Sequence, residues 1–184
     1  VMAADRAADL RVELSTLSPQ NIEALNAVLP VTWSHGNPID IIGDATAQRY
    51  RDALTICMQD KDNDGVLVIL TPQAMTQPTQ VAEAVIEVAR QFTKPLLESW
   101  MGGSQVMEAR NAFVAAGISS FRTPEPAVEV FSYLSAYAHN QQLLLQMPGR
   151  QLAAVEEPVD RLGAAMTGKP QRGPDLVVPE NLPV

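Results

Sequence analysis

Between Gly65 and Leu70 the chain runs six residues without a charge, then breaks at Thr71-Pro72-Gln73-Ala74-Met75-Thr76 and passes into a helical pattern. A short apolar run bounded by turn residues reads as a strand buried on both faces, the kind found inside a parallel sheet. Strand, polar turn and helix start, in that order, place unpaired backbone N–H groups and the positive end of a helix dipole at the carboxyl edge of that sheet. Anions, phosphate above all, bind well at such a place.

The same rhythm repeats along the chain. Val1 to Arg11 is alanine-rich with apolar residues at helical spacing, and it lacks an N-cap, so the chain is expected to begin inside an element. Val12-Glu13-Leu14 is a short strand candidate. Ser18 before Pro19 reads as an N-cap with a first-turn proline, opening a helix through Ile22, Leu25 and Val28. Pro30 to Pro38 reads as a loop, and Ile39 to Ile42 as a brief extended segment ending at Gly43. Tyr50, Ala53, Leu54 and Cys57 recur at the spacing of an amphipathic helix over Thr46 to Met58. After the strand Val66 to Leu70 come a helix from about Pro78 to Phe92, a strand from Pro95 to Met101, and a helix from Ser104 to Ala116 closed by Gly117. Ile118 to Phe121 is a last short strand, and Pro124 to Gln146 a long last helix.

Strands alternating with helices predict an α/β fold, a parallel sheet with helices on both faces. With 184 residues, 46% of them apolar, the chain is sized for one well-buried domain, expected over residues 1–147. Six of the fourteen prolines fall from Pro148 onward, and 148–184 reads as a linker or tail.

A net charge of −8 argues against binding nucleic acid or a membrane surface. No stretch approaches the roughly 20 apolar residues of a spanning helix, and no signal peptide is visible, so the expected setting is cytoplasmic. Cys57 lies among apolar residues and reads as a structural thiol. Asp60-Lys61-Asp62-Asn63-Asp64-Gly65 copies the first half of a calcium loop, but the twelfth position, where a bidentate glutamate is needed, is Thr71. His35 and His139 have no second histidine or cysteine nearby in sequence, so no metal site is expected. No nucleophile elbow and no complete nucleotide-binding glycine motif occurs. Three turns would share the carboxyl edge of a parallel sheet: Gly43-Asp44, Thr71 to Thr76, and Gly102-Gly103. Either they are merely tight turns or together they form an anion or partner site.

These turns also carry a resemblance. Asn37-Pro38-Ile39-Asp40-Ile41-Ile42-Gly43-Asp44-Ala45, the block Val66 to Met75 with its Thr-Pro-Gln-Ala-Met, Lys94-Pro95, Ser99-Trp100-Met101-Gly102-Gly103 and Ala116-Gly117-Ile118 are similar to one module of the nucleoside-diphosphate-forming acyl-CoA synthetases, relatives of succinyl-CoA synthetase. The resemblance covers about Val1 to Gln146 and implies a flavodoxin-like, three-layer, doubly wound parallel sheet. The family module opens with a strand and a glycine-rich turn, so the sheet is expected to lack its first strand here. An open edge of that kind also predicts self-association.

The resemblance implies the reaction acyl-CoA + ADP + phosphate ⇌ acid + CoA + ATP, run through a phosphohistidine on another module. By position, the helix entered through Pro72, Gln73, Ala74, Met75 and Thr76 would stabilise that phosphoryl group, with Gly43, Asp44, Gly102 and Gly103 shaping the neighbouring turns and Asn37 and Asp40 pinning a loop. No catalytic residue is expected in this module, which alone should be inactive. CoA, ATP or ADP, and Mg belong to the implied parent enzyme, whose CoA-binding, phosphohistidine-bearing and ATP-grasp modules would be the partners. Two other functions compete: a catalytically silent, ligand-sensing module of a protein lysine acetyltransferase, and a stand-alone flavodoxin-like ligand-binding domain.

Overall fold

The computed structural model describes residues 1–146, and the segment read as a linker or tail lies outside them. The elements, in chain order, are α1 (Met2–Asp9), α2 (Pro19–Val28), α3 (Ala47–Gln59), β1 (Val66–Leu70), α4 (Pro78–Ala89), β2 (Leu96–Trp100), a 3-10 turn (Ser104–Val106), α5 (Met107–Ala115), β3 (Ser120–Phe121) and α6 (Pro124–Gln146). The cap chemistry is where the sequence places it. Ser18 Oγ accepts from the Asn21 amide at 3.1 Å with Pro19 in the first turn of α2, and Thr46 Oγ1 accepts from the Arg49 amide at the start of α3.

The strands form a parallel sheet in the order β1-β2-β3, with Val66 opposite Leu96, Leu70 opposite Trp100, and Glu98 opposite Ser120. Alternation along each strand sends even-numbered residues to one face. There Leu70 and Trp100 join Leu54 and Met58 of α3, Val81 and Val85 of α4, and Ala109 and Phe113 of α5 in one buried cluster. Trp100 and Phe113 meet edge to face, ring centroids 4.6 Å apart. On the other face lie α1 and α6, tied by Arg6 Nη2 donating to Glu129 Oε1 at 2.6 Å. A second cluster of Leu25, Leu29, Trp33 and Ala53 holds α2 against α3, with Trp33 Nε1 donating to Asn26 Oδ1. Gly65, just before β1, has no room for a side chain, because a Cβ there would stand 2.5 Å from the Phe131 ring. The result is an α/β three-layer, flavodoxin-like fold.

Two expected strands are absent among the described residues. Val12 to Leu14 makes no ladder with the sheet, and Leu14 is 46% exposed. Ile39 to Ile42 is not a strand because the Ile42 backbone turns to φ 68°, where the Asp40 carboxylate accepts its amide at 2.9 Å. No helix among the described residues is long and apolar enough to cross a membrane.

Candidate functional site

The site is built at the carboxyl edge of the sheet, where β1 and β2 hand over to their helices. Leaving Leu70, the chain makes a loop from Thr71 to Gln77, and α4 begins only at Pro78. Within that loop the Gln73 amide donates to Thr76 Oγ1 at 2.8 Å and the Thr76 amide donates to the Gln73 carbonyl at 3.0 Å. The amides of Ala74 and Met75 have no such protein acceptor, and both residues are exposed. Gln77, the N-cap residue, makes no side-chain cap bond. The first-turn donors of α4 therefore stay open, at the positive end of a twelve-residue helix.

The three turns meet here. A Cβ built on Gly43 would lie 3.4 Å from Gln73 Cγ, and one built on Gly102 would lie 3.2 Å from Pro72 Cγ. Gly43, Asp44, Gln73, Ala74 and Met75 together line a depression of about 270 Å³. Gly43-Asp44 reaches this edge without a preceding strand, carried by the Asp40–Ile42 turn and the 3.1 Å bond from the Ala45 amide to the Ile42 carbonyl. Gly102 adopts φ 137°, open to glycine and strained for other residues. Gly103 stands in open space just beyond it.

Two arginines complete the frame, and neither stood out in the sequence. Arg49 Nη1 donates to Asp44 Oδ1 at 2.5 Å and to the Ile41 carbonyl at 3.1 Å, so the one carboxylate in the depression carries a counter-charge. Arg110 of α5 donates through Nη2 to the Trp100 carbonyl and, at 3.3 Å, to the Gly102 carbonyl, fixing the exit of β2. The signal available for both was a cation within a turn or two of the helix start that follows each glycine turn.

Asn37 and Asp40 spend their polar atoms on the backbone. Asn37 Nδ2 donates to the Ser15 carbonyl at 2.9 Å, and the Asp40 carboxylate accepts the Ile42 amide. His35 lies against Trp33, centroids 4.7 Å apart, with Nε2 2.9 Å from the Val31 carbonyl, and it does not line the depression. His139 is exposed on α6. The acidic turn after α3 is bonded within itself and to its neighbours: Asp60 accepts from the Asp62 amide and from Asn21 Nδ2 of α2, and Lys94 Nζ donates to Asn63 Oδ1 at 2.8 Å and to the Asp60 carbonyl. Among the described residues no group of three or more histidine, cysteine, aspartate or glutamate side chains could hold a metal ion. Burial, with Asp60 adding to it against a smaller pull from Lys94, pushes the Cys57 thiol up to about 11.

One group near this edge was not anticipated. Glu98, in the middle of β2 and facing the apolar cluster, is fully buried. Burial raises its carboxyl to about 7, while the Ser120 hydroxyl opposite, the Arg110 charge and the Trp100 backbone draw it partway back.

A family model described as "Ligase-CoA domain" matches residues 1–145. The chain is 36% identical over 138 residues to the "Acetate--CoA ligase [ADP-forming] I" of Archaeoglobus fulgidus, covering 75% of this chain and 19% of that protein. It is 42% identical over 142 residues to the "Acetate--CoA ligase [ADP-forming]" of Methanocaldococcus jannaschii, covering 75% of this chain and 20% of that protein. Among solved structures, the apo form of the dinucleotide forming acetyl-coenzyme A synthetase 1 of Ca. Korarchaeum cryptofilum superposes with a TM-score of 0.73 at 28% identity, over 78% of this chain and 32% of that one. The same enzyme in complex with phosphate and ADP gives the same TM-score. The chain thus spans about a fifth of the length of these curated relatives.

Proposed function

Because the chain belongs to the Ligase-CoA domain family, we propose that it works as one module of a nucleoside-diphosphate-forming acyl-CoA synthetase, in which the loop before α4 stabilises a phosphoryl group in transit. In this reading the parent enzyme interconverts acyl-CoA, ADP and phosphate with acid, CoA and ATP. A phosphohistidine on another module docks at the carboxyl edge of this sheet. CoA-binding and ATP-grasp modules complete the assembly and hold CoA, nucleotide and Mg.

The observation that carries the reading is the depression lined by Gly43, Asp44, Gln73, Ala74 and Met75, where the Ala74 and Met75 amides are open, with the Gly102 turn packed against Pro72 of the same loop. Backbone donors already aimed at a point need no reorganisation when charge arrives there, so their effect is largest on a transferring anion. The Arg49–Asp44 pair removes a repulsion that an unpaired aspartate would impose. Met75, 83% exposed at the tip of the loop, gives an apolar contact for an approaching module. This chain contributes position and electrostatics in that scheme, and the bond-making histidine is another module's.

The test is Gln73→Glu in the complete synthetase. A second negative charge roughly 6 Å from the phosphoryl group, at an effective dielectric between that of water and about 20, opposes it by roughly 1–3 kcal/mol. Phosphorylation of the relay histidine should slow by about tenfold or more, with Gln73→Ala nearly neutral. Unaltered phosphorylation by the glutamate variant would end the proposal.

A further inference from the structure

Glu98 is the only charged side chain in β1, β2 or β3. It is fully buried, and nothing in the proposed phosphoryl site uses it. A carboxyl in such a place is costly when ionised, so its surroundings decide what it does there. In register with it stand Val68 on one side and the Ser120 hydroxyl on the other. Over this face pack α4 and α5 through their apolar residues Val81, Val85, Ala109 and Phe113. Glu83 and Glu87 of α4, Arg90 at its end, Glu108 of α5 and Arg122 after β3 are all exposed. The charge that acts on Glu98 is that of Arg110 on α5.

Arg110 is held in a way that lets it respond. Its Nη2 donates to the Trp100 carbonyl and, over a longer 3.3 Å, to the Gly102 carbonyl. Its Nε–H is buried with no acceptor among the described residues. The guanidinium is a rigid planar fork, so a bond made by one N–H reorients the others. We infer that Glu98 is a positioning residue for the Gly102-Gly103 turn, acting through Arg110: with its proton it leaves Arg110 on the two backbone carbonyls, and without it the carboxylate takes the Arg110 Nε–H and draws the guanidinium off Gly102. A bond between two charged groups is stronger than one from a charged donor to a neutral carbonyl, and the long Gly102 bond is the first to give. The turn can follow, because Gly102 at φ 137° has no side chain to lock it. Its movement also has somewhere to go, since a Cβ at Gly102 would stand only 3.2 Å from Pro72 Cγ in the loop before α4. The Glu98 carboxyl, raised by burial to about 7, gives up its proton as the pH rises through neutrality. None of these contacts depends on the synthetase reading.

The test is a pH titration of the isotopically labelled 184-residue chain by NMR, following the Glu98 carboxyl carbon, the Gly102 and Gly103 amides and the Arg110 Nε–H. All four should move in one step near pH 7. On that step the Arg110 Nε–H should shift downfield and exchange with water about tenfold more slowly, as its bond to the carboxylate forms. Glu98→Gln, which keeps the shape without the charge, should remove the step at both glycines and at Arg110. Arg110→Lys keeps the charge but lacks the fork, so there Glu98 should still titrate while the glycines stay still. Glycines that titrate in E98Q or R110K, a Glu98 carbon that titrates with the glycines unmoved, or one that does not titrate between about pH 5 and 9 would each overturn the inference. Where the lysine variant fails to fold, the Arg110 Nε–H of the parent chain decides, and a signal indifferent to the Glu98 step is a refutation.

Discussion

Glu98→Gln should stabilise this domain, and only above a definite pH. Burial raises the folded-state carboxyl from 4.5 to about 7. The difference of about 2.5 units, at 1.36 kcal/mol per unit, is roughly 3 kcal/mol of cost for holding an ionised Glu98 in the fold. Between those two values the folded state binds more protons than the unfolded one. Stability from this group is therefore fully present below about pH 4.5, falls as pH rises, and is lost above about pH 7. Glutamine keeps the shape and cannot ionise, so the variant should lack this slope. Urea unfolding followed by fluorescence of the buried Trp33 and Trp100 at several pH values measures both chains, and their difference cancels other titrating groups. The variant should match the parent near pH 5 to within about 1 kcal/mol and exceed it by roughly 2–3 kcal/mol near pH 8. Parallel profiles, or a variant less stable at the higher pH, would refute the reasoning.

Two further predictions use the same coordinates. With its thiol pushed from 9.0 to about 11, Cys57 should react with iodoacetamide about a hundredfold more slowly in the folded chain than in urea, and equal rates would contradict its burial. Gly102→Ala should cost about 1–3 kcal/mol of unfolding free energy, because φ 137° is strained for any side chain and the new Cβ presses on Pro72. A neutral substitution there would mean the turn is free to change shape.

Elements whose identity is local were legible in the sequence. The Ser18-Pro19 and Thr46 helix starts, the period of α3 and α4, and the apolar run of β1 are each decided within a few residues, and the structure places them within a turn of the expected bounds. Elements that depend on a distant neighbour were not. Val12 to Leu14 has the composition of a strand, but a strand exists by its ladder, and the space between it and β1 holds no chain among the described residues. Ile39 to Ile42 failed for a local reason that composition hides, since the Asp40 carboxylate draws the Ile42 backbone into a turn. At the site, three turns at one edge followed from parallel topology alone. That Gly43 and Gly102 both pack against the Pro72–Gln73 step, that Arg49 neutralises Asp44, and that Arg110 holds the exit of β2 required coordinates. Glu98 went unremarked because one charge within an apolar strand looks like a solvent-facing alternation, and only the covering by α4 and α5 makes it buried.

An amide NMR titration of the isotopically labelled 184-residue chain with inorganic phosphate at constant ionic strength examines the loop before α4 most directly. Saturable shifts confined to Gly43, Ala74, Met75 and the first turn of α4, with Lys61 to Asp64 unmoved, are what a preformed anion cradle requires. Shifts spread evenly over the surface, or none at Ala74 and Met75, would contradict it.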